Sequence, residues 1–222
     1  MAHYVSTTDK LRAQSLNRTG LEHYERWELE SAITLFQEAT RLDNTEPDYH
    51  LNLARTQVRM GDYEQMLQAL GDYINTETDP ALVSRFEALF SNALDDVETR
   101  LTTVMPQHDV SLEVVGAAIQ MWVEYRVTLG KEHLDLTRPE EWAAALDYTV
   151  RKVNFKEAPV ENIAEWYRTN EAAVRHGHSE LIKTLDIMPC DYRYYRGEDN
   201  PLDKLVEAAI MLEELEERFR AH

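Results

Sequence analysis

Few residues in this chain have the types and spacing that chemistry needs. His176-Gly-His178 offers two imidazoles to a metal ion, with His133, Cys190 or Asp191 as further ligands. No second ligand pair follows at the spacing of a zinc site, so the motif reads as a solvated helix face. Cys190 is the single cysteine. It has neither an adjacent His nor a nearby helix N-terminus to stabilise a thiolate, which makes it a partly buried thiol rather than a nucleophile. Leu129-Gly130-Lys131 lacks the first glycine and the Ser or Thr after Lys that cradle phosphate and magnesium. The acidic pairs Asp95-Asp96, Glu140-Glu141 and Glu216-Glu217 are neighbours on helices, and adjacent helical positions point in different directions. They read as solubilising charges. The expectation is no catalytic residue, no metal, no cofactor and no enzymatic activity.

The elements that would position such groups are helices. Only 7 Gly and 7 Pro punctuate 222 residues, of which 43% are apolar, a composition that favours long helices over turn-rich sandwiches or barrels. A formal charge of −18 repels phosphate backbones and anionic membrane surfaces. No apolar run approaches the roughly 20 residues of a membrane helix, and Met1 to Lys10 lacks the charged-then-apolar plan of a signal peptide. Together with the lone cysteine this predicts a cytoplasmic protein with no membrane partner.

From Ala13 onwards, apolar residues recur at three- and four-residue steps in two segments broken near Trp27, the pattern of a helical hairpin. Gly20 is the small residue of the first helix, and Ala32, Phe36 and Ala39 lie at the spacing of a closely packed second helix. A shift of 34 residues lands on a second hairpin, Pro47 to Pro80, with Ala54 in the place of Gly20 and Leu70 in that of Phe36. Gly61-Asp62-Tyr63 occupies its turn, where Gly tolerates a left-handed backbone and Asp can cap the next helix. Met66 and Tyr73 stand where small residues would continue the pattern, and Trp27 stands where the first turn would have Gly.

These residues resemble the tetratricopeptide repeat, a helix-turn-helix unit of about 34 residues with small residues, an aromatic and a terminal proline at set places. The resemblance covers residues 13–80 and implies antiparallel hairpins stacked into a right-handed α-superhelix. Two units need a cap. Leu82, Phe86, Leu89, Phe90, Leu94, Val97 and Leu101 form one long amphipathic pattern that would supply it, giving an N-terminal region over 8–105. A C-terminal helical region follows over 110–222.

Within that region a helix over 111–129 is stopped by Gly130. Thr137-Arg-Pro-Glu140 reads as a capping box opening a helix through Val153. Pro159 begins a short helix, and Thr169 or Asn170 can cap another through Leu185. Residues 159–185 resemble the helix-turn-helix of bacterial regulators, with Arg168 about where that motif has Gly; a DNA-reading role would use Arg175, His176, Ser179 and Lys183. Residues 137–185 hold 7 basic and 8 acidic side chains, without the clear basic excess that a nucleic-acid partner calls for. The segment 191–200 reads as a loop whose tyrosines pack on a neighbour. Asn200-Pro201 would open a last helix whose apolar stripe closes the fold or pairs with a second copy in a homodimer.

The tetratricopeptide resemblance implies a protein or peptide partner held against the first helix of each unit. The matching positions are Asn17, Leu21, Tyr24, Leu51, Asn52, Arg55 and Arg59. Asn17 and Leu21 depart from the Lys and Asn of family members that clamp a terminal carboxylate, whereas Arg55 and Arg59 suit acidic groups. The expected function is an interaction or scaffold module. The alternative is a transcriptional regulator.

Overall fold

The computed structural model describes residues 5–91, 93–156 and 158–197. Among them there is no strand, only α-helices, two short 3-10 turns and connections, so the protein is all-α. The expected helix over 201–222, with its possible role in a homodimer, lies outside the described residues. Contacts divide the chain into two compact units, Met1–Ala93 with Arg126–Leu134, and Leu94–Tyr125 with Asp135–His222. Residues 94–105 thus group with the second unit.

The first unit opens with α1 (Thr7–Glu25), capped by the Ser6 hydroxyl accepting from the Asp9 N–H. It packs against α2 (Leu29–Leu42), and α3 (Pro47–Met60) packs against α4 (Tyr63–Thr76) in the same way, with α2 also against α3. Gly20 is a site of close approach, since a Cβ there would lie 2.6 Å from the Phe36 ring. Ala32, Phe36 and Ala39 are fully buried. Burial of a Phe side chain contributes about 1.5–3 kcal/mol.

The turns of the two hairpins match across the period. Gly61 has φ 79° and Trp27, which replaces it in the first hairpin, has φ 61°. A bulky residue in that region carries backbone strain of about 1–3 kcal/mol, so the turn geometry is imposed by the packing of the helices it joins. Met66 and Tyr73 fit without loosening the second hairpin; both are buried. Tyr73 packs edge-on against Phe86 of α5 (Pro80–Glu87), ring centroids 5.1 Å apart.

The long amphipathic pattern expected after Pro80 is interrupted. α5 runs into a 3-10 turn over Ala88–Phe90, and α6 (Asp96–Val104) begins afresh. Asp95 and Glu98 form a reciprocal capping box that satisfies the new helix's first N–H groups, which is why a period-3.6 stripe reads through a break. Phe90 and Leu94, two members of that stripe, are 45% and 53% exposed.

In the second unit, α6 and α10 (Glu171–Leu185) both pack on α8 (Pro139–Val153), and α9 (Val160–Trp166) packs on α8 and α10. Ala143, Ala144 and Ala145 allow close approach; a Cβ on Gly177 of α10 would meet Ala145 Cβ at 2.6 Å. α8 starts without the expected Thr137 capping box. Pro139 takes the first helical position, where its missing N–H is harmless, and this makes Arg138 the N-cap. α7 (Leu112–Thr128) buries Met121, Trp122 and Tyr125. Trp122 donates its indole N–H to Asp95 at 2.8 Å and packs with Tyr125 and Trp142. The chain leaves α7 at Gly130 with φ 61°, as expected of a stop.

Candidate functional site

The first helices of the two hairpins, α1 and α3, touch along one face. Asn52 donates to the Asn17 side-chain carbonyl at 2.9 Å, and Arg55 donates to Asn52 at 3.4 Å. The Tyr24 ring lies under both arginines, 5.5 Å from the Arg55 guanidinium and 4.4 Å from that of Arg59, which also stacks on Trp27 at 4.5 Å. Leu21 packs at the edge of the cluster built on Tyr24, Leu29, Ala32 and Phe36. Asn17, Leu21, Tyr24, Asn52, Arg55 and Arg59 are therefore brought together. Access differs among them: Tyr24, Asn52 and Arg59 are buried, whereas Asn17, Leu21 and Arg55 are partly exposed. Stacking of Arg59 between two rings is a cation–π arrangement that fixes where its charge sits.

Leu51 is set apart. It lies against Gly130, whose Cβ would stand 3.8 Å from the Leu51 methyl, in a segment clamped onto the second hairpin. Arg85 of α5 donates to the carbonyls of Gly130 and Glu132, the latter at 2.6 Å. Lys131 pairs with Asp48 at 2.7 Å and Glu77 at 3.1 Å. Burial alone would raise the Glu77 carboxyl. Hydrogen bonds from the Asp79 and Thr78 N–H groups, the Tyr73 hydroxyl and Lys131 outweigh it and hold Glu77 at about 2. Arg85 and Lys131 are not legible in the sequence, because their partners lie 45 or more positions away in the chain.

In the second unit, α9, a short turn and α10 have the expected helix-turn-helix order. Arg168 in the turn has φ 56°, the conformation Gly adopts most easily. Asn170 caps α10 by accepting from Ala173 N–H at 2.9 Å. Val174, Gly177, Leu181 and Leu185 are buried, and Arg175, His176, Ser179 and Lys183 are all exposed.

The two histidines of His176-Gly-His178 part company. His176 is solvated, but His178 is partly buried, hydrogen-bonded through Nδ1 to the Thr149 hydroxyl at 2.9 Å and edge-on to Tyr148. Burial, with the nearby Lys152 charge, lowers its proton affinity. No group of three or more His, Cys, Asp or Glu side chains among the described residues is placed to hold a metal. Cys190 is buried, and burial pushes its thiol pKa up, away from nucleophilic character.

Two ionic clusters inside the second unit had no signature in the sequence. Arg193 pairs with Glu124, and with Asp191 at 2.8 Å, and donates to the Leu185 carbonyl; the Tyr194 hydroxyl donates to Glu124 at 2.7 Å. All five residues are buried. The described part of the stretch after Pro189 is irregular and packs Tyr194 on α7, while Tyr192 is 67% exposed; the burial of Asp191 and Arg193 with it was not expected. The second cluster joins Asp147 to Arg151 at 2.6 Å and to the Tyr167 hydroxyl at 3.1 Å. Burial raises the Asp147 carboxyl, against the opposing pull of Arg151. Both clusters tie α8 or α10 to residues distant in the chain, and both are built from buried side chains.

No protein-family model matches the chain, and no curated protein and no solved structure matches it. Among the described residues no helix is long and apolar enough to cross a membrane.

Proposed function

We propose that this chain is a binding module in which α1–α4 form two tetratricopeptide-type units and a protein or peptide segment lies along the face shared by α1 and α3. The observation that carries this reading is the convergence of Asn17, Leu21, Arg55 and the Tyr24–Arg59 stack on that face. Matching left-handed turns at Trp27 and Gly61 support the repeat assignment. Asn17, Leu21 and Arg55 offer an amide, an apolar contact and a cation. A partner with acidic groups beside an apolar residue suits that set, because a guanidinium pairs strongly with carboxylates. The clamp of Arg85 and Lys131 covers Leu51, which shifts the contact area towards α1 and the second half of α3. The reading includes no catalytic step.

The test is peptide-array binding by the full chain, comparing wild type with Leu21→Ala, Arg55→Ala. Both residues are partly exposed, so the fold should persist by circular dichroism. Loss of the acidic peptides bound by wild type is the expected result. Unchanged binding to all of them would overturn the assignment.

A second reading is favoured by the exposure of Arg175, His176, Ser179 and Lys183 along α10, with Arg168 in a glycine-like turn. In this reading residues 159–185 read DNA. The low basic content of this region weighs against it. An electrophoretic shift at low salt decides: no shift with genomic fragments at micromolar protein removes it.

A further inference from the structure

Arg151 and Lys152 from the end of α8 and Arg175 from α10 line one cavity of about 380 Å³, together with Tyr148, Pro159 and Glu161. Tyr148, Arg151 and Lys152 stand at i, i+3 and i+4 and so share a helix face. The Arg151 side chain is only 7% exposed. Its Nε is bound to Asp147 at 2.6 Å and its Nη2 to the His108 carbonyl at 3.2 Å, so the fork is fixed at the cavity wall before any ligand arrives. Lys152 is exposed, its ammonium 5.0 Å from the Tyr148 ring centroid, and no carboxylate among the described residues pairs with it. Arg175 pairs with Glu171 at 3.8 Å across solvent, a contact weak enough to exchange for a better anion.

We infer that this cavity binds a phosphate monoester, with the phosphoryl group on Arg151, Lys152 and Arg175 and the ester body against Tyr148 and Pro159. A chain with 41 acidic and 23 basic residues disfavours anions on average. Three cations drawn from two helices into one concavity run against that average; Asp147 holds Arg151, Glu171 lies 3.8 Å from Arg175, and Lys152 supplies the charge that no carboxylate among the described residues offsets. A planar guanidinium fork and an ammonium point charge are complementary donors for a tetrahedral dianion. The volume falls at the small end of ligand pockets, about 300–1,000 Å³, and exceeds the space of a bare phosphate, leaving room for an aromatic or apolar body. Glu161 repels the anion from the α9 side and seats it towards α8 and α10. The site is independent of the α1–α3 face, and Arg175 is its one residue in common with the DNA reading.

Titration calorimetry on the full chain tests the site, with phenyl phosphate, inorganic phosphate, benzoate and a short DNA duplex as probes. Phenyl phosphate should bind saturably at one site, more tightly than inorganic phosphate, which leaves the Tyr148 wall empty, and more tightly than benzoate, which carries one charge. Lys152→Ala with Arg175→Ala, both at exposed positions, should weaken phenyl phosphate by at least about tenfold, the loss of one charge-assisted hydrogen bond or more. Glu161→Gln should tighten it. The site is refuted by any of four results: absence of saturable binding to wild type, equal affinity in the double variant, equal affinity for benzoate, or binding of the duplex without binding of phenyl phosphate.

Discussion

The two units solve the problem of burying helices by different means. In α1–α4 the helices of each hairpin meet through apolar and small residues whose counterparts recur one period later, Gly20 and Ala54, Phe36 and Leu70, and the buried polar side chains, such as Asn52, Thr56 and Arg59, lie on α3. In the second unit the core holds Glu124, Asp147, Arg151, Asp191 and Arg193, all buried and mutually paired. Apolar packing is tolerant and additive, whereas a buried ion pair is stable only with every partner present. The first unit should therefore respond to mutation by degrees, and the second abruptly.

The largest effect is expected at Arg193. Arg193→Ala leaves Glu124 and Asp191 buried without their shared cation and should cost about 3–5 kcal/mol, read as a fall in the urea midpoint. A loss below 1 kcal/mol would erase the contrast between the units. In the hairpins, Gly20→Ala pushes a Cβ into the Phe36 ring and should cost about 1–3 kcal/mol by overpacking. Gly20→Ala combined with Phe36→Leu should recover part of that loss, as a graded apolar contact allows and an ionic one does not. Gly61→Ala meets no atom within 4 Å, so its cost, about 1 kcal/mol, is purely that of a left-handed backbone. Measuring it sharpens the estimate of what the first hairpin sustains at Trp27.

A separate effect is a pH dependence within the first unit. Glu77 is held at about 2, below its ordinary 4.5. Its contribution is fully present above 4.5 and is lost as pH falls from 4.5 towards 2. Glu77→Gln should flatten the stability curve across that window and leave the slope above pH 5 unchanged. An unaltered acid limb would show that the clamp through Lys131 and Tyr73 does not act through this carboxylate.

Legibility follows the same divide. Hairpin boundaries, the turn at Gly61 and the packing of Gly20 on Phe36 are readable because they depend on residues three or four positions apart within a helix, on partners within one hairpin and on the 34-residue period. The Asn17–Asn52 and Tyr24–Arg59 contacts could be anticipated once the period was seen, since 35 residues separate each pair. Even so, Leu51 was assigned to the open face, because nothing in its vicinity announced that Gly130 would cover it. The break between α5 and α6 was missed for a local reason. Beside Asp96, Asp95 reads as a surface charge, but with Glu98 it closes a capping box. The stretch 191–196 reads as a loop whose tyrosines pack on a neighbour, as Tyr194 does on α7, but nothing local points to the contacts of Arg193 with Glu124 and of Arg196 with Asn154, 69 and 42 residues away.

By itself the sequence determined an all-helical protein of strongly acidic charge, the hairpins of its first half and the cap at Asp62, and it narrowed the cap of α10 to Thr169 or Asn170. These follow from periodicity and from side chains that satisfy their own helix ends within three residues. The tertiary structure alone decided which charges are buried, which of the candidate groove residues remain open, and that Arg151, Lys152 and Arg175 share a cavity. Such groupings depend on where helices cross, and helix crossings are set by the summed packing of many side chains rather than by any short spacing that a sequence displays.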